Sequence, residues 1–214
     1  MADQTRELMS NDYHQPPQGL PYSQACENNK GPILDKLWPY LATAKQVLEV
    51  GSGTGQHAVY FAEHLPHLQW QTSDIMAHHQ GINAWIDAHP SVNLQRPITF
   101  DLRRPIEVSQ RYDAVFTANT LHIIAWELVD VLFGLVGDIL KKNGKFCIYG
   151  PFKYSGEFTS VSNEQFDISL RQRDQNSGIR DIEALLDLAK AVGLALQADY
   201  DLPANNQLLI FSKI

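Results

Sequence analysis

The chain alternates short apolar runs with longer segments in which apolar residues recur every three or four positions. The short runs predict strands at residues 45–50, 68–73, 97–100, 112–118 and 145–149, with two more at 194–199 and 207–212. The periodic segments predict helices at residues 56–64, 77–88, 126–140 and 181–191. Strands that alternate with helices in this way are typical of an α/β fold built on a mostly parallel sheet.

The N-terminal part of the chain does not follow the alternation of strands and helices. Residues 1–22 are polar and rich in turn formers, so we expect a flexible N-terminal arm there. From Ser23 onward a helix is predicted, with Ile33, Leu37 and Trp38 on the apolar face that packs against the domain. Its polar start, residues 27–30, is interpreted either as a solvated first turn or as a lid over a cofactor.

A second departure from the alternation lies at residues 150–178, which do not repeat the strand and helix unit. This segment predicts an insertion with its own helix at about residues 163–173, capped by Ser162 or Asn163. The helix before it is expected to carry lysines 141 and 142 in its last turn. Residues 23–214 are therefore predicted to form one domain that carries this insertion.

The first strand runs directly into a glycine-rich loop and then into a helix. Glycine has no Cβ, so the backbone of such a loop can turn sharply and approach a ligand closely, while the amides of the helix point the same way. Dinucleotide dehydrogenases usually have the pattern G-x-G-x-x-G with an apolar residue before it, whereas this chain has Glu49 and Gln56. That difference favours S-adenosylmethionine (SAM) over a nicotinamide cofactor. The expected SAM contacts here are Glu49, Gly51, Ser52, Gly53, Thr54, Gly55 and His57.

Carboxylates follow the second and third strands. Asp74 lies 19 residues after Gly55, where it would accept hydrogen bonds from both ribose hydroxyls, and Ile75 would cover the adenine ring. Capping of the next helix is the alternative role for Asp74. Asp101 and Leu102 would bind the adenine amino group and ring, and a turn before Arg103 is the alternative for Asp101.

Polar residues also follow the fourth strand. Asn119, Thr120 and His122 come directly before a helix, and ligands of open α/β sheets bind at the carboxyl ends of the strands. We therefore expect all three to face the cofactor. His122 is also a candidate general base, because the pKa of histidine lies near neutrality, and Tyr154 is a weaker catalytic candidate.

The insertion and the loop between the last two strands are predicted to lie above the methyl-transfer end of the sheet. Substrate recognition is the role that this position suggests, although charged helix faces are most often only solvated. The candidate substrate-binding residues are Asn29, Tyr149, Asn163, Asp167, Arg171, Asn205 and Asn206.

Several segments together resemble an uncharacterised class I methyltransferase-like family, known as domain of unknown function 938. They are Glu27-Asn-Asn-Lys-Gly-Pro-Ile33, Leu48-Glu-Val-Gly-Ser-Gly-Thr-Gly-Gln-His57, Tyr149-Gly-Pro-Phe152, Ser162-Asn-Glu-Gln-Phe-Asp167, Gly178-Ile-Arg-Asp181 and Pro203-Ala-Asn-Asn206. The resemblance implies a Rossmann-like SAM-binding sandwich whose seven-stranded sheet is mostly parallel, with an antiparallel last strand. It does not supply an acceptor.

Composition and charge narrow the possible partners. The net charge of −7 disfavours nucleic acid and anionic lipid. Cys26 and Cys147 form no C-x-x-C pair, which indicates reduced thiols, and the histidines lack the spacing of a metal site. No apolar run reaches the roughly 18 residues of a membrane span, and the polar start does not resemble a secretory signal, so a cytoplasmic location is expected.

The sequence therefore predicts a SAM-dependent methyltransferase that acts on a small-molecule or protein acceptor, a small molecule being favoured. Two alternatives remain. One is a SAM-binding module without catalytic activity, and the other is an NAD-dependent oxidoreductase, which Glu49 and Gln56 make less attractive.

Overall fold

A computed structural model of the chain describes residues 19–104 and 110–214. The helices are α1 (Gln24–Leu41), α2 (Gln56–His64), α3 (His79–Ala88), α4 (Trp126–Ile139), α5 (Val161–Arg173) and α6 (Ile182–Ala191). The strands are β1 (Gln46–Val50), β2 (Gln69–Asp74), β3 (Leu94–Thr99), β4 (Tyr112–Ala118), β5 (Leu140–Gly150), β6 (Phe152–Tyr154), β7 (Glu157–Phe158), β8 (Arg180–Asp181), β9 (Leu194–Leu202) and β10 (Asn206–Lys213). Short 3₁₀ turns lie at Met76–His78 and Pro203–Asn205.

Seven strands form one sheet in the order β3-β2-β1-β4-β5-β10-β9. The pairs from β3 to β5 are parallel, and β10 is antiparallel to both of its neighbours. This topology confirms the predicted α/β fold with an antiparallel last strand. The strand order reverses between β1 and β4, and ligands of open α/β sheets bind in the crevice at such a reversal, beyond the carboxyl ends of the strands.

Two apolar cores cover the two faces of the sheet. On one face α1, α2 and α3 pack against Val47, and on the other α4 and α6 pack against Leu48. Successive residues of β1 thus enter opposite cores, as the alternation of side chains along a strand requires. Phe133 of α4 is fully buried in the second core, where such a side chain contributes about 1.5–3 kcal/mol.

Three local predictions were wrong. Trp38 is 48% exposed and meets the His67 ring edge-on, instead of packing into the core. β5 begins at Leu140, so lysines 141 and 142 lie beyond α4, and Asn143 is the residue that takes the left-handed conformation (φ 65°). Ser160 caps α5 by accepting a hydrogen bond from the Asn163 N–H at 3.2 Å, two residues before Ser162, the earlier of the two predicted caps.

The insertion contains more than the predicted helix. β6 pairs with β7 as a hairpin and with β8 in parallel, which makes a small second sheet beside α5. Of the predicted arm at residues 1–22, residues 1–18 lie outside the described residues. Within the described end of that segment, Trp85 of α3 donates a hydrogen bond to the Pro21 carbonyl at 2.6 Å. No helix in the described part of the chain combines the length and apolarity that crossing a membrane requires.

Candidate functional site

The glycine loop leaves β1 at the reversal of the strand order. Gly51, Gly53 and Gly55 have φ values of 75°, 58° and 93°, a region that other residues rarely adopt. The Gly51 and Ser52 amides both donate to the Ser73 carbonyl at 3.0 Å, which ties the loop to the end of β2. A Cβ on Gly51 would lie 2.8 Å from the Thr120 hydroxyl oxygen, so only glycine fits at that close approach.

Asp74 ends β2 with its carboxylate turned toward the glycine loop. Oδ2 accepts a hydrogen bond from the Gly53 N–H at 2.7 Å, and Oδ1 accepts one from the Ile75 N–H at 2.7 Å and lies 2.8 Å from His78 Nδ1. A carboxylate has about four acceptor positions, so Asp74 retains capacity for a further donor. The capping alternative is wrong, because neither the 3₁₀ turn at Met76–His78 nor α3 has a side-chain hydrogen bond at its N-cap.

Glu49 is buried below the loop at 2% exposure. Its Oε2 accepts hydrogen bonds from Ser52 Oγ at 2.9 Å and Trp70 Nε1 at 3.1 Å. Burial raises the pKa of Glu49 to about 7, although both hydrogen bonds oppose the shift. Ser52 therefore faces inward to hold Glu49, and the Trp70 contact is one that the sequence analysis missed.

The first turn of α1 covers the start of α2, which overturns its interpretation as a solvated turn. Gln56 is 1% exposed, and its Oε1 accepts from the Ser23 N–H at 2.6 Å while its Nε2 donates to Glu27 Oε1 at 2.6 Å. Thr54 Oγ1 donates to the same Gln56 oxygen at 3.0 Å. A dinucleotide pyrophosphate would need this helix start and the loop amides. Here Glu27 covers the helix and Asp74 already holds the Gly53 amide.

The loop between β4 and α4 lies beside the glycine loop. Asn119 has a left-handed backbone (φ 56°), and its N–H donates to the Tyr149 carbonyl at 2.9 Å. Thr120 contacts the Gly51 turn. His122 is 4% exposed, and burial together with the charge of Arg180 lowers its pKa to about 4. Its imidazole is therefore neutral at pH 7.

A cavity of about 590 Å³ opens on the other side of this loop. Three further segments complete its wall: the start of α1, the start of α5 and the turn between β9 and β10. The lining residues are Ser23, Ala25, Asn28, Asn29, Asn119, His122, Ile123, Tyr149, Pro151, Ser162, Asn163, Phe166, Pro203, Ala204, Asn205 and Asn206. The volume lies in the range of small-molecule sites, about 300–1,000 Å³.

Paired amides fasten the insertion to the last hairpin. Asn163 Nδ2 donates to the Asn205 carbonyl at 2.8 Å, and Asn205 Nδ2 donates to Ser162 Oγ at 3.1 Å. Ala204 and Asn205 both adopt left-handed conformations, with φ values of 62° and 56°. Strained residues of this kind persist where surrounding contacts hold them, and they cluster at ligand sites.

A polar chain runs from α2 to the same cavity. The oxygen Oδ1 of Asn29 lies 2.6 Å from His57 Nε2, and Asn206 Nδ2 donates to the Tyr149 hydroxyl at 3.0 Å. Burial lowers the pKa of His57 to about 4 and raises that of Tyr149, whose shift the amides of Asn29 and Asn206 oppose. His57 thus contacts α1 and stacks on Phe61, and its contact with a cofactor stays a prediction.

Three of the predicted catalytic and substrate-binding residues lie away from the cavity lining. The Tyr154 hydroxyl donates to Asp199 Oδ2 at 2.7 Å, so it has a structural partner on β9 instead of a catalytic position. Asp167 accepts from the Ile179 N–H at 2.6 Å and from Arg171 Nε at 2.7 Å. The assignment of Asp167 and Arg171 to substrate binding is corrected accordingly: the pair joins α5 to the segment that enters β8.

The end of β3 supports the turn alternative for Asp101. Its carboxylate accepts from the Arg103 backbone N–H at 3.1 Å and from Arg103 Nε at 2.8 Å, and these bonds lower its pKa. Leu102 packs beside the core formed with α4 and α6. Contacts of Asp101, Leu102 and Ile75 with an adenine stay predictions.

Some cavity residues had no assigned role in the sequence analysis. Ser23, Ile123 and Phe166 line the cavity, and the Phe166 ring meets His122 edge-on at 5.4 Å between centroids. Ile123 could have been noticed because it follows His122 directly at the ligand end of β4. Ser23 gave no such signal, because its position depends on how α1 packs.

The fold is similar to that of several solved methyltransferases. An O-methyltransferase family protein from Burkholderia thailandensis superposes with a TM-score of 0.76 at 16% identity, over 88% of this chain and 57% of that one. The human N-acetylserotonin methyltransferase, solved with SAM, gives a TM-score of 0.71 at 15% identity, over 88% and 52%. The SAM-dependent methyltransferase SibL superposes with a TM-score of 0.74 at 17% identity, over 88% of this chain and 55% of SibL. The chain spans little more than half the length of these proteins.

The family assignment comes from the sequence itself. The model of the family described as "protein of unknown function (DUF938)" matches residues 20–213. The chain therefore belongs to this family, as the resemblance of its motifs indicated.

Proposed function

We propose that this protein is a SAM-dependent methyltransferase that acts on a small-molecule acceptor. The observation that carries the proposal is the position of the loop between β4 and α4. Thr120 of this loop contacts the turn at Gly51, while Asn119 and His122 line the cavity. A methyl donor on the glycine loop and an acceptor in the cavity would meet there.

The groove fits an adenosyl sulfonium better than a dinucleotide. Gly51 leaves room for close backbone approach, and Asp74 has acceptor capacity for ribose hydroxyls at 7% exposure. The carboxylate of Asp74 beside the glycine loop favours a cation over a pyrophosphate in this crevice. Glu27 and Gln56 cover the helix start that phosphates would use. The Rossmann-like likeness to SAM-dependent enzymes supports the same choice of cofactor.

SAM supplies a methyl group that is already activated on sulfur, so the protein must mainly hold the acceptor in line and receive a proton. We assign proton acceptance to His122. The ring lines the cavity, and no described residue hydrogen-bonds to its nitrogens, so a lone pair is available to a bound acceptor. The pKa of about 4 keeps the ring unprotonated at pH 7 but makes it a weaker base than an ordinary histidine. Asn29, Tyr149, Asn163, Asn205 and Asn206 are proposed to contact the acceptor.

Calorimetric titration with SAM and, separately, with NAD tests the cofactor assignment. We expect binding of SAM and none of NAD.

Mass spectrometry of a cell-extract metabolite pool incubated with protein and methyl-labelled SAM then tests transfer, with His122→Gln as the variant. The variant should keep its SAM affinity and lose at least about tenfold in turnover. Tight SAM binding without any transfer would instead identify a non-catalytic SAM-binding module.

A further inference from the structure

The wall of the cavity carries no formal charge at neutral pH. Among the described residues that line it there is no Asp, Glu, Lys or Arg, and six of the lining residues are asparagines. Hydroxyls of serine and tyrosine supply most of its remaining polar groups. The single titratable base, His122, has a pKa lowered to about 4 and is neutral.

The charged side chains of Arg180 and Asp167, which lie near the cavity, are bound to other protein groups. Arg180 is 8% exposed and donates to the backbone carbonyls of Leu121 at 2.9 Å and Asn176 at 3.0 Å. Asp167 pairs with Arg171. A charged ligand that entered the cavity would therefore lose hydration without gaining an opposite charge from the wall, which is costly in a protein interior.

The wall also has an apolar side. Phe166 and Ile123 face the cavity and are 38% and 50% exposed, so both present apolar surface that a ligand can cover. The same wall carries amides with unused hydrogen-bonding capacity, such as Asn119, whose side chain contacts no described residue through a hydrogen bond. An amide both donates and accepts, so it suits neutral hydroxyl, carbonyl and amide groups.

We infer that the acceptor is an uncharged small molecule with an apolar body and a hydroxyl group, seated between Phe166 and the asparagines. The inference rests on the proposed function in calling the bound molecule an acceptor. In the transfer, the acceptor oxygen forms a bond to the methyl carbon and the carbon–sulfur bond breaks with its electron pair on sulfur. The hydroxyl proton passes to a ring nitrogen of His122. Carboxylates, ammonium groups and phosphate esters are therefore not expected as acceptors.

Matched fragments test this inference without knowledge of the natural acceptor. Each triad has one aromatic or alkyl scaffold that carries a hydroxymethyl, a carboxylate or an aminomethyl group. Binding to the full chain is measured by ligand-observed NMR at neutral pH, with and without SAM. Neutral members are expected to bind about tenfold more tightly than their charged partners. Equal or tighter binding of a charged member, or no binding of any triad, overturns the inference.

Two variants place the binding in the cavity. Ile123→Glu adds a carboxylate to the wall and should weaken the neutral members while strengthening the aminomethyl members by about fivefold. Val131→Glu on α4 is the matched control, because Val131 is also an exposed apolar residue, at 41%, and does not line the cavity. Identical behaviour of the two variants would overturn the location. Neutral selectivity without SAM binding supports the inference about the cavity and rejects the proposed methyltransferase.

Discussion

Replacement of Asp74 by alanine tests the cofactor groove most directly. The carboxylate holds the Gly53 N–H at 2.7 Å and is 7% exposed, so it faces the glycine loop, where we propose that the ribose binds. In the proposed complex it accepts hydrogen bonds from two ribose hydroxyls. Hydrogen bonds to a charged group contribute about 1.5–3 kcal/mol each.

Two bonds at the lower value amount to about 3 kcal/mol, or roughly a 100-fold loss of affinity. Water recovers part of this loss in the variant, so the expected weakening of SAM binding lies between about tenfold and 100-fold. Asp74→Asn keeps an uncharged acceptor of the same size and should fall about tenfold or less. S-adenosylhomocysteine has the same ribose without the positive sulfur, so both ligands should weaken by the same factor.

Calorimetric titration of each ligand measures these factors, and circular dichroism checks that the variants fold. Asp87→Ala is the matched control, because Asp87 on the neighbouring α3 is 63% exposed and pairs with a surface arginine. Unchanged SAM affinity in folded Asp74→Ala refutes the ribose assignment. A loss for SAM alone would show that Asp74 acts on the sulfonium charge instead.

Three further changes have outcomes that follow from the structure. Gly51→Ala should weaken SAM binding by about tenfold and lower the free energy of unfolding by about 1–2 kcal/mol, because φ is 75° and the new Cβ would lie 2.8 Å from Thr120 Oγ1. Asp167→Ala should cost about 2 kcal/mol by denaturant unfolding, because a buried N–H loses its acceptor, while SAM affinity stays unchanged. The pKa of Glu49 is raised from 4.5 to about 7, so its contribution to stability is present below pH 4.5 and is lost as pH rises to about 7. Glu49→Gln should therefore gain stability relative to the parent across that interval.

Each of these has a control on the same chain. Gly134 lies in α4 with open space around it, so Gly134→Ala should leave SAM binding unchanged; an equal loss would remove the steric explanation for Gly51. Arg171→Ala removes only the partly exposed partner of Asp167 and should cost about 1 kcal/mol or less. A pH-independent stability difference between Glu49→Gln and the parent would contradict the raised pKa of Glu49.

Local patterns in the sequence were sufficient for the fold and for the position of Asp74 beside the glycine loop. Alternation of apolar runs and helical periods predicted the α/β sandwich, and α2 and β4 were placed at their observed bounds. Asp74 was placed beside the glycine loop from spacing alone, because neighbouring parallel strands end at the same edge of a sheet. These inferences succeed because they depend on residues within one strand and helix unit.

The rest of the site depends on which helix faces meet, and no periodic pattern contains that information. Ser23 contacts Gln56 across 33 residues, and Asn163 contacts Asn205 across 42. From the sequence, the charge and position of Asp167 are compatible both with binding a substrate and with holding the insertion together. In the structure its carboxylate accepts a hydrogen bond from the Ile179 N–H, which supports the second role.

The amino-acid sequence alone therefore predicts the layered fold, the glycine loop and the carboxylate beside it. Packing of α1, α5 and the β9–β10 turn over the sheet establishes the neutral, amide-lined cavity. The physical reason is that backbone hydrogen bonding and apolar periodicity are local, whereas the partner of a buried polar side chain is chosen by whatever donor or acceptor the tertiary packing brings within about 3 Å.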